Sequence, residues 1–351
     1  MNGEIKLVRY ITIRYADPIC AMDLTDKELL YGTMLGTAAC YLIPQKKLIT
    51  LSDTQEEHIS GVKIFEKEEN NKNSKYIVCI GDDKILIFNG ISENYNEIPK
   101  YEEINNYSTE NDHFRKCENC FTMLKNNYLI RTFIGASIDK KESKTSQTEY
   151  NIKSIENLNS PEINGTIEMS DYVVPFDFDG EKYAFVDFLE EKKRIFEIYD
   201  IKSNNSLIKF EIEKYKEKIG HISLLKLLKN EKIFIVRDYN KCEIRDINFN
   251  FLRGFNLAGN EILAFDVLYE DENNEETLNI FVLDINCNVI KYNYKRNKME
   301  YLINLENIDI DQVIKDQKFF SMGYPYYIKV SKQYMAISSD YGCIILQYSN
   351  E

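Results

Sequence analysis

A chain of 351 residues is long for one ordinary domain, but it lies within the range of repeat architectures and is ample to bury a core. Hydrophobic residues make up 44% and charged residues 29%, a soluble, globular balance, and no apolar run is long enough to span a bilayer. The net charge of −13 argues against nucleic acid as a partner, because a polyanion is repelled rather than rewarded by counterion release. Basic clusters such as Lys192, Lys193, Arg194 and Lys295, Arg296, Lys298 fall where turns are expected, beside acidic residues, and read as solvated turns.

The N-terminus, MNGEIKLVRYITIRYADP, carries Glu4 early and lacks both an apolar core segment and a small-residue cleavage site. It reads as neither a secretory signal nor a transit peptide, so a cytoplasmic location is expected. The eight cysteines, several of them inside apolar runs (Cys20, Cys40, Cys79, Cys343), then read as reduced core residues, and the sequons at Asn106, Asn164 and Asn204 carry no meaning.

Helical periodicity is scarce along the chain. Short β-branched and aromatic runs alternate with turns rich in Asn, Asp, Gly and Lys, the pattern of an all-β repeat protein. A strand at Ile5–Ile13 comes first and belongs to no unit of its own. Units of four antiparallel strands then start near Pro18, Ile59, Cys117, Tyr172, His221, Glu261 and Pro325. Polar stretches at Glu66–Lys75, Asp139–Tyr150 and Glu270–Glu276 read as flexible loops, the second with serines and threonines open to phosphorylation. The units around 181–213 and 221–257 repeat each other most clearly, as in KYAFVDFLEE-KKRIFEIYD and GHISLLKLLKN-EKIFIVRDY. Ile310, Val313, Ile314 and Phe320, within the long connection Glu306–Phe320, sit at near-helical spacing behind Asp309 or Asp311, which predicts a short helix there. The final unit has only three strands before Glu351. The economical solution pairs the spare N-terminal strand with that last unit and so removes an open sheet edge.

On these residues the chain resembles the WD40-repeat family of β-propellers. Gly220-His221 matches the family's Gly-His pair, and Asp246 follows at the end of a third strand 25 residues after His221. Tyr199-Asp200 and Arg245-Asp246 stand where the family has Trp-Asp, and Ser338-Ser339-Asp340-Tyr341-Gly342 resembles its tight turn before a third strand. The chain departs from the family in having one Gly-His pair, no Trp-Asp pair and a longer repeat. The resemblance implies a single seven-bladed propeller over residues 1–351, with the N-terminal strand completing the last blade. It assigns His221 and Asp246 to a structural hydrogen-bond network, and it puts the connections between blades and the turns between second and third strands on one face.

Chemistry-bearing constellations are few. His113 with Cys117 and Cys120 supplies three of the four ligands that zinc wants, but no fourth lies nearby, so ordinary thiols are expected. Asp284-Ile-Asn286-Cys-Asn288 opens like a calcium loop but has Val289 where glycine is required and Lys295 where the bidentate glutamate belongs, so it reads as a hairpin turn. There are three histidines, and no phosphate loop, dinucleotide fingerprint, zincin helix or nucleophile elbow. No cofactor, no metal and no enzymatic activity are expected.

The function implied by the resemblance is a non-enzymatic protein–protein interaction scaffold within a larger assembly. A ciliary or cytoskeletal assembly is one specific form of that expectation, and an adaptor in trafficking, ribosome biogenesis or ubiquitin ligation is another. A propeller reading peptides or small ligands at its central mouth is the alternative class, and a propeller enzyme is a third. Partners are expected to be proteins, with no membrane insertion. Among the 25 tyrosines, most serve strand propensity and packing, but Tyr15, Tyr172 and Tyr324 near blade entrances, with Arg115, are candidate interface anchors.

Overall fold

The computed structural model describes residues 5–13, 17–53, 58–69, 72–81, 84–91, 100–108, 120–125, 128–134, 146–154, 163–169, 173–190, 193–212, 222–257, 259–308, 325–339 and 342–348. The protein is all-β: 28 strands among the described residues form seven four-stranded antiparallel sheets. Strand β1 (Lys6–Thr12) is set apart, and six sheets follow from consecutive strands. They are β2–β5 (Ile19–Leu24, Glu28–Thr33, Thr37–Leu42, Lys47–Asp53), β6–β9 (Ile59–Glu69, Lys72–Gly81, Lys84–Ile91, Lys100–Ser108) and β10–β13 (Cys120–Lys125, Tyr128–Ile134, Ser146–Ser154, Ile163–Met169). Next come β14–β17 (Val173–Phe178, Lys182–Glu190, Lys193–Asp200, Asn205–Glu211), β18–β21 (Ile222–Leu228, Lys232–Arg237, Lys241–Asp246, Phe251–Asn256) and β22–β25 (Ile262–Tyr269, Leu278–Asp284, Asn288–Asn293, Lys298–Asn304). Strands β26–β28 (Pro325–Val330, Tyr334–Ser339, Gly342–Gln347) take β1 as their fourth member, in the order β1-β28-β27-β26.

The chain divides into two compact units, residues 1–108 with 261–351, and residues 109–260. In the first unit the sheets pack face to face in series, and each junction has its own apolar core. Phe281, Val289, Ile328, Met335 and Ile344 fill the junction between the β22–β25 sheet and the sheet of the two chain ends. Met22, Tyr31, Tyr41, Ala336 and Ile345 fill the next, and Leu30, Cys40, Ile64, Ile77 and Phe88 the one after. In the second unit Phe196, Ile198, Leu225, Leu227 and Ile235 form the corresponding core between the β14–β17 and β18–β21 sheets. β-Branched and aromatic side chains on alternating positions suit such doubly covered strands.

A polar clasp recurs at these junctions. Asp23 Oδ2 on β2 accepts from the Ile64 backbone N–H on β6 at 2.8 Å, and Lys63 pairs with the same carboxylate at 3.1 Å. Asp266 Oδ2 on β22 accepts from Val330 N on β26 at 3.0 Å, with Lys329 at 3.6 Å. In the second unit Asp177 Oδ2 on β14 accepts from Leu227 N on β18 at 2.8 Å. Each carboxylate thus satisfies a first-strand N–H of the following sheet that would otherwise be buried without an acceptor. Every first strand except β10 carries a bulge in its pairing with the second, a device that re-aims a strand where two sheets meet.

Two expected flexible loops have regular structure. Residues 66–69 and 72–75 of Glu66–Lys75 extend β6 and β7, whose ladder runs to Glu69↔Lys72. The polar composition that suggested a loop is compatible with a two-stranded ribbon, whose backbone bonds are made whatever the side chains. Glu270–Glu276 is tied by Asp271, whose carboxylate accepts from Asn273 N at 2.9 Å, and by Asn274, which caps a short 3-10 turn at Glu275–Thr277. Of the third polar stretch, 139–145 lies outside the described residues, as does the segment 309–320 where a helix was expected.

Candidate interaction surface

At one end of the first unit's sheets, the turns between second and third strands turn their polar groups inward. In the β3–β4 turn the buried Asp17 accepts from Thr33 Oγ1 at 3.0 Å and from Leu35 N at 2.6 Å, and Thr33 Oγ1 accepts from Thr37 N at 3.0 Å. Met34 N donates to Pro18 O at 3.0 Å, and Gly36 closes the turn at φ 92°, a conformation open to glycine. With the backbone satisfied from within, the side chains of Met34 and Leu35 project into solvent, 54% and 45% exposed.

The β23–β24 turn repeats this plan. Asp284, fully buried, accepts from Asn288 N at 2.8 Å and from Asn288 Nδ2, while Ile285 N donates to Glu261 O at 2.8 Å. The would-be calcium loop is therefore a turn in which Asp284 supplies the cap, and it leaves Ile285 40% exposed. On β26, between these two sheets, Tyr327 follows the bulge and is 42% exposed. Burial, and to a lesser degree the charge that Cys20 would carry, raise the pKa of its hydroxyl. Cys20 Sγ contacts Pro18 O at 3.4 Å, the same carbonyl that Met34 N uses. Burial and the nearby Asp17 push the Cys20 thiol up to about 11, so at neutral pH it is an unreactive, protonated group.

The opposite end of these sheets carries both charges: its hairpins hold the exposed Lys27, Lys46, Lys47, Lys295, Arg296 and Lys332 together with the exposed Glu270, Asp271, Glu272 and Glu276. Tyr292 at the end of β24 donates to Asn297 Oδ1 at 2.7 Å across the left-handed turn into β25, and in the second unit Tyr199 does the same with Asn204 at 2.7 Å. Tyr199 and Asp200 thus latch and cap a turn: Asp200 accepts from Lys202 N and Ser203 N, and these bonds hold its carboxyl below the usual range. Asp246 likewise accepts from Asn250 N and Nδ2, at 2.8 and 2.9 Å, in its own turn.

The residues chosen from sequence as interface anchors, Tyr15, Arg115, Tyr172 and Tyr324, lie outside the described residues, as do His113, Cys117, Gly220 and His221. Met34, Leu35 and Ile285 were missed. The signal was apolar side chains at the tips of turns (TMLGT, DINCN), where solvent exposure favours polar ones. Among the described residues no group of three or more His, Cys, Asp or Glu side chains is arranged to hold a metal ion, and no helix is long and apolar enough to cross a membrane.

No protein-family model and no curated protein matches this chain. Solved structures do. Raptor from Chaetomium thermophilum superposes with a TM-score of 0.59 at 10% identity, covering 98% of this chain and 29% of that one. A chain of the Mitotic Checkpoint Complex gives 0.56 at 9% identity, covering 99% and 91%. KlHsv2 with loop 6CD replaced by a Gly-Ser linker gives 0.52 at 9%, covering 92% and 89%. The chain thus spans under a third of the Raptor chain and nearly the whole of the other two. At these identities the likeness shows the fold alone: propeller-like, built of four-stranded antiparallel sheets.

Proposed function

We propose that this chain is one seven-bladed WD40-like propeller over residues 1–351, its ring closed by β1 on the last blade, and that it works as a non-enzymatic scaffold holding other proteins in an assembly. The observation that carries the reading is the fold likeness over 99% of this chain to a chain solved inside a multiprotein complex. Two features of the residues agree with it. The carboxylates of Asp23, Asp177 and Asp266, the last two buried, are engaged in joining sheet to sheet, which leaves them committed to structure. The exposed Met34, Leu35, Ile285 and Tyr327 stand on turns and a strand start, where they cost solvation and serve no core. In this reading Tyr15, Arg115, Tyr172 and Tyr324 belong to the same contact surface, the location is cytoplasmic, and a ciliary or cytoskeletal assembly is the first to examine.

Native purification of the tagged protein from its own cells, followed by cross-linking mass spectrometry, tests the proposal. Recovery in a stoichiometric complex is the expected result. Recovery of the protein alone, under gentle lysis and at native abundance, would overturn it.

A further inference from the structure

The outer strand of each sheet pairs with one neighbour, and six of the seven outer strands carry the same two protections on their open side. In β1, β5, β9, β17, β21 and β25 the register slips by one residue, at Val8, Leu51, Ile104, Leu207, Leu252 and Leu302. Such a bulge breaks the regular row of backbone N–H and C=O groups that an added strand would need. The same six strands each contain a lysine or arginine: Lys6, Lys47, Lys100, Lys209, Arg253 and Lys298. A long cation is a second common guard of a sheet edge. Strand β13 has neither. Its ladder with β12 runs without a shift from Ser146↔Met169 to Ile152↔Ile163, and its sequence, INGTIEM, holds no lysine, arginine or proline. Residues 155–172, which comprise β13 and its two connections, contain Glu156, Glu162, Glu168 and Asp171 and no basic residue. The basic residues of this sheet belong to its other strands and to the β11–β12 connection: Lys125, Arg131, Lys140, Lys141, Lys144 and Lys153.

We propose, resting on the scaffold reading, that the open edge of β13 receives an extended segment of another protein as a fifth strand of its sheet, and that this segment alternates β-branched or aromatic residues with lysine or arginine. The hold comes from the backbone, because an unbroken edge of 7 residues offers its outward N–H and C=O groups to an extended chain. The selection comes from the residues of β13 itself. Residues directly opposite each other on adjacent strands interact, so Ile163 and Ile167 favour β-branched or aromatic neighbours and Glu168 favours a cation. A second copy of this chain is disfavoured, since edge-to-edge pairing would bring together two molecules of net charge −13, each without a cation over residues 155–172. The other six outer strands are closed to the same segment by their bulges, which limits the protein to one such site.

The test uses the full-length protein and a phage-displayed library of random 12-residue peptides, followed by fluorescence anisotropy and hydrogen exchange with the enriched peptides made synthetically. Enrichment of peptides that alternate Val, Ile, Thr, Phe or Tyr with Lys or Arg is expected, and their binding should protect amides within residues 163–169. Glu168→Lys gives β13 the guard that the other outer strands carry and should weaken binding about tenfold or more. Neighbouring amides of a strand point to opposite sides, so one of Thr166→Pro and Ile167→Pro removes a donor from the open side and spares the ladder. The proline variant that unfolds at the parental temperature is the one to read, and its binding should fall by a similar factor. Tyr301→Lys, on the bulged β25, should bind as the parent does. Enrichment of acidic or uncharged peptides, no enrichment, or full binding by Glu168→Lys or by the folded proline variant would each overturn the proposal. So would amides of the open side already protected in the free protein, because the edge would then be covered by this chain itself. Light scattering that shows a dimer lost in the folded proline variant would make the occupant a second copy and overturn it too. The scaffold reading fails separately, when native purification returns the protein alone; a cellular complex that survives both Glu168→Lys and the folded proline variant sinks only the fifth strand.

Discussion

Strands β1 and β25 are the outer strands of adjacent sheets, yet they are held in place by different means. β25 arrives through a tight hairpin from β24, and none of its side chains is buried; Tyr301 is 64% exposed and Met299 37%. The outer strands β17 and β21, and the described side chains of β5, are likewise without a buried residue. β1 comes from the far end of the chain, pairs with β28 from Lys6↔Gln347 to Thr12↔Gly342, and buries Tyr10 and Ile11 to 2% and 4% exposure. These two side chains enter the cores on either face of their sheet. A hairpin costs little closure entropy, so a backbone ladder suffices to hold its strand. Closing a loop of more than 300 residues costs roughly 4 kcal/mol more in chain entropy, and burial has to offset it. The lesson is that a strand without a covalent hairpin is secured by side chains, and a strand with one is free to present its side chains to solvent.

Substitutions can break or sharpen that contrast. Tyr10→Ala should have the largest effect, lowering unfolding free energy in urea by about 3–4 kcal/mol and releasing hydrogen-exchange protection along β28. Protection of β28 that matches the parent protein would show that the ladder alone holds β1. Asp266→Ala should cost about 3 kcal/mol, because it strands the buried Val330 N–H and leaves Lys329 without its carboxylate; calorimetry would record it as a lower Tm. Gly342→Ala follows at about 2 kcal/mol. A Cβ there would lie 2.4 Å from Ile11 O and 3.1 Å from the Tyr10 ring, so β1 would have to shift away from β28.

A gain is expected at the β4–β5 hairpin. Tyr41 occupies the place of Tyr292, but its buried hydroxyl has no partner, and the residue five positions on is Lys46 at φ 53° rather than an asparagine. Lys46→Asn should raise stability by about 1 kcal/mol, supplying the acceptor that Asn297 gives Tyr292 and a residue better suited to the left-handed conformation. The smallest effect belongs to β25 itself: Tyr301→Ala should fall within about 0.5 kcal/mol of the parent protein. A loss comparable to that of Tyr10→Ala would erase the distinction between the two outer strands.

Much of the architecture was legible in the residues. Period-two alternation in runs such as KYAFVDF and TLNIFVLD exposes strands, because side chains on a pleated ribbon alternate faces wherever it pairs. Three strands in the last unit and one to spare at the start pointed to the pairing of the chain ends. The polar stretch Glu66–Glu69 was misread as a loop, because composition reports solvation and a strand ribbon is also solvated. The exposed apolar side chains at the turns were not legible. Tyrosines near blade entrances, with Arg115, directed attention to Tyr15, Tyr172 and Tyr324, while Met34, Leu35 and, in a segment read as a hairpin turn, Ile285 drew none.

The sequence by itself determined the strand content, the four-strand repeat and the scarcity of chemistry-bearing groups, since these follow from local propensity, turn residues and the inventory of side chains. Tertiary structure alone decided that Asp23, Asp177 and Asp266 bind backbone amides of the following sheet and that Gly342 makes room for β1. Those are contacts between residues 41 to more than 300 positions apart in the chain, and no local pattern encodes which distant amide a carboxylate will meet until packing of the sheets brings the two together.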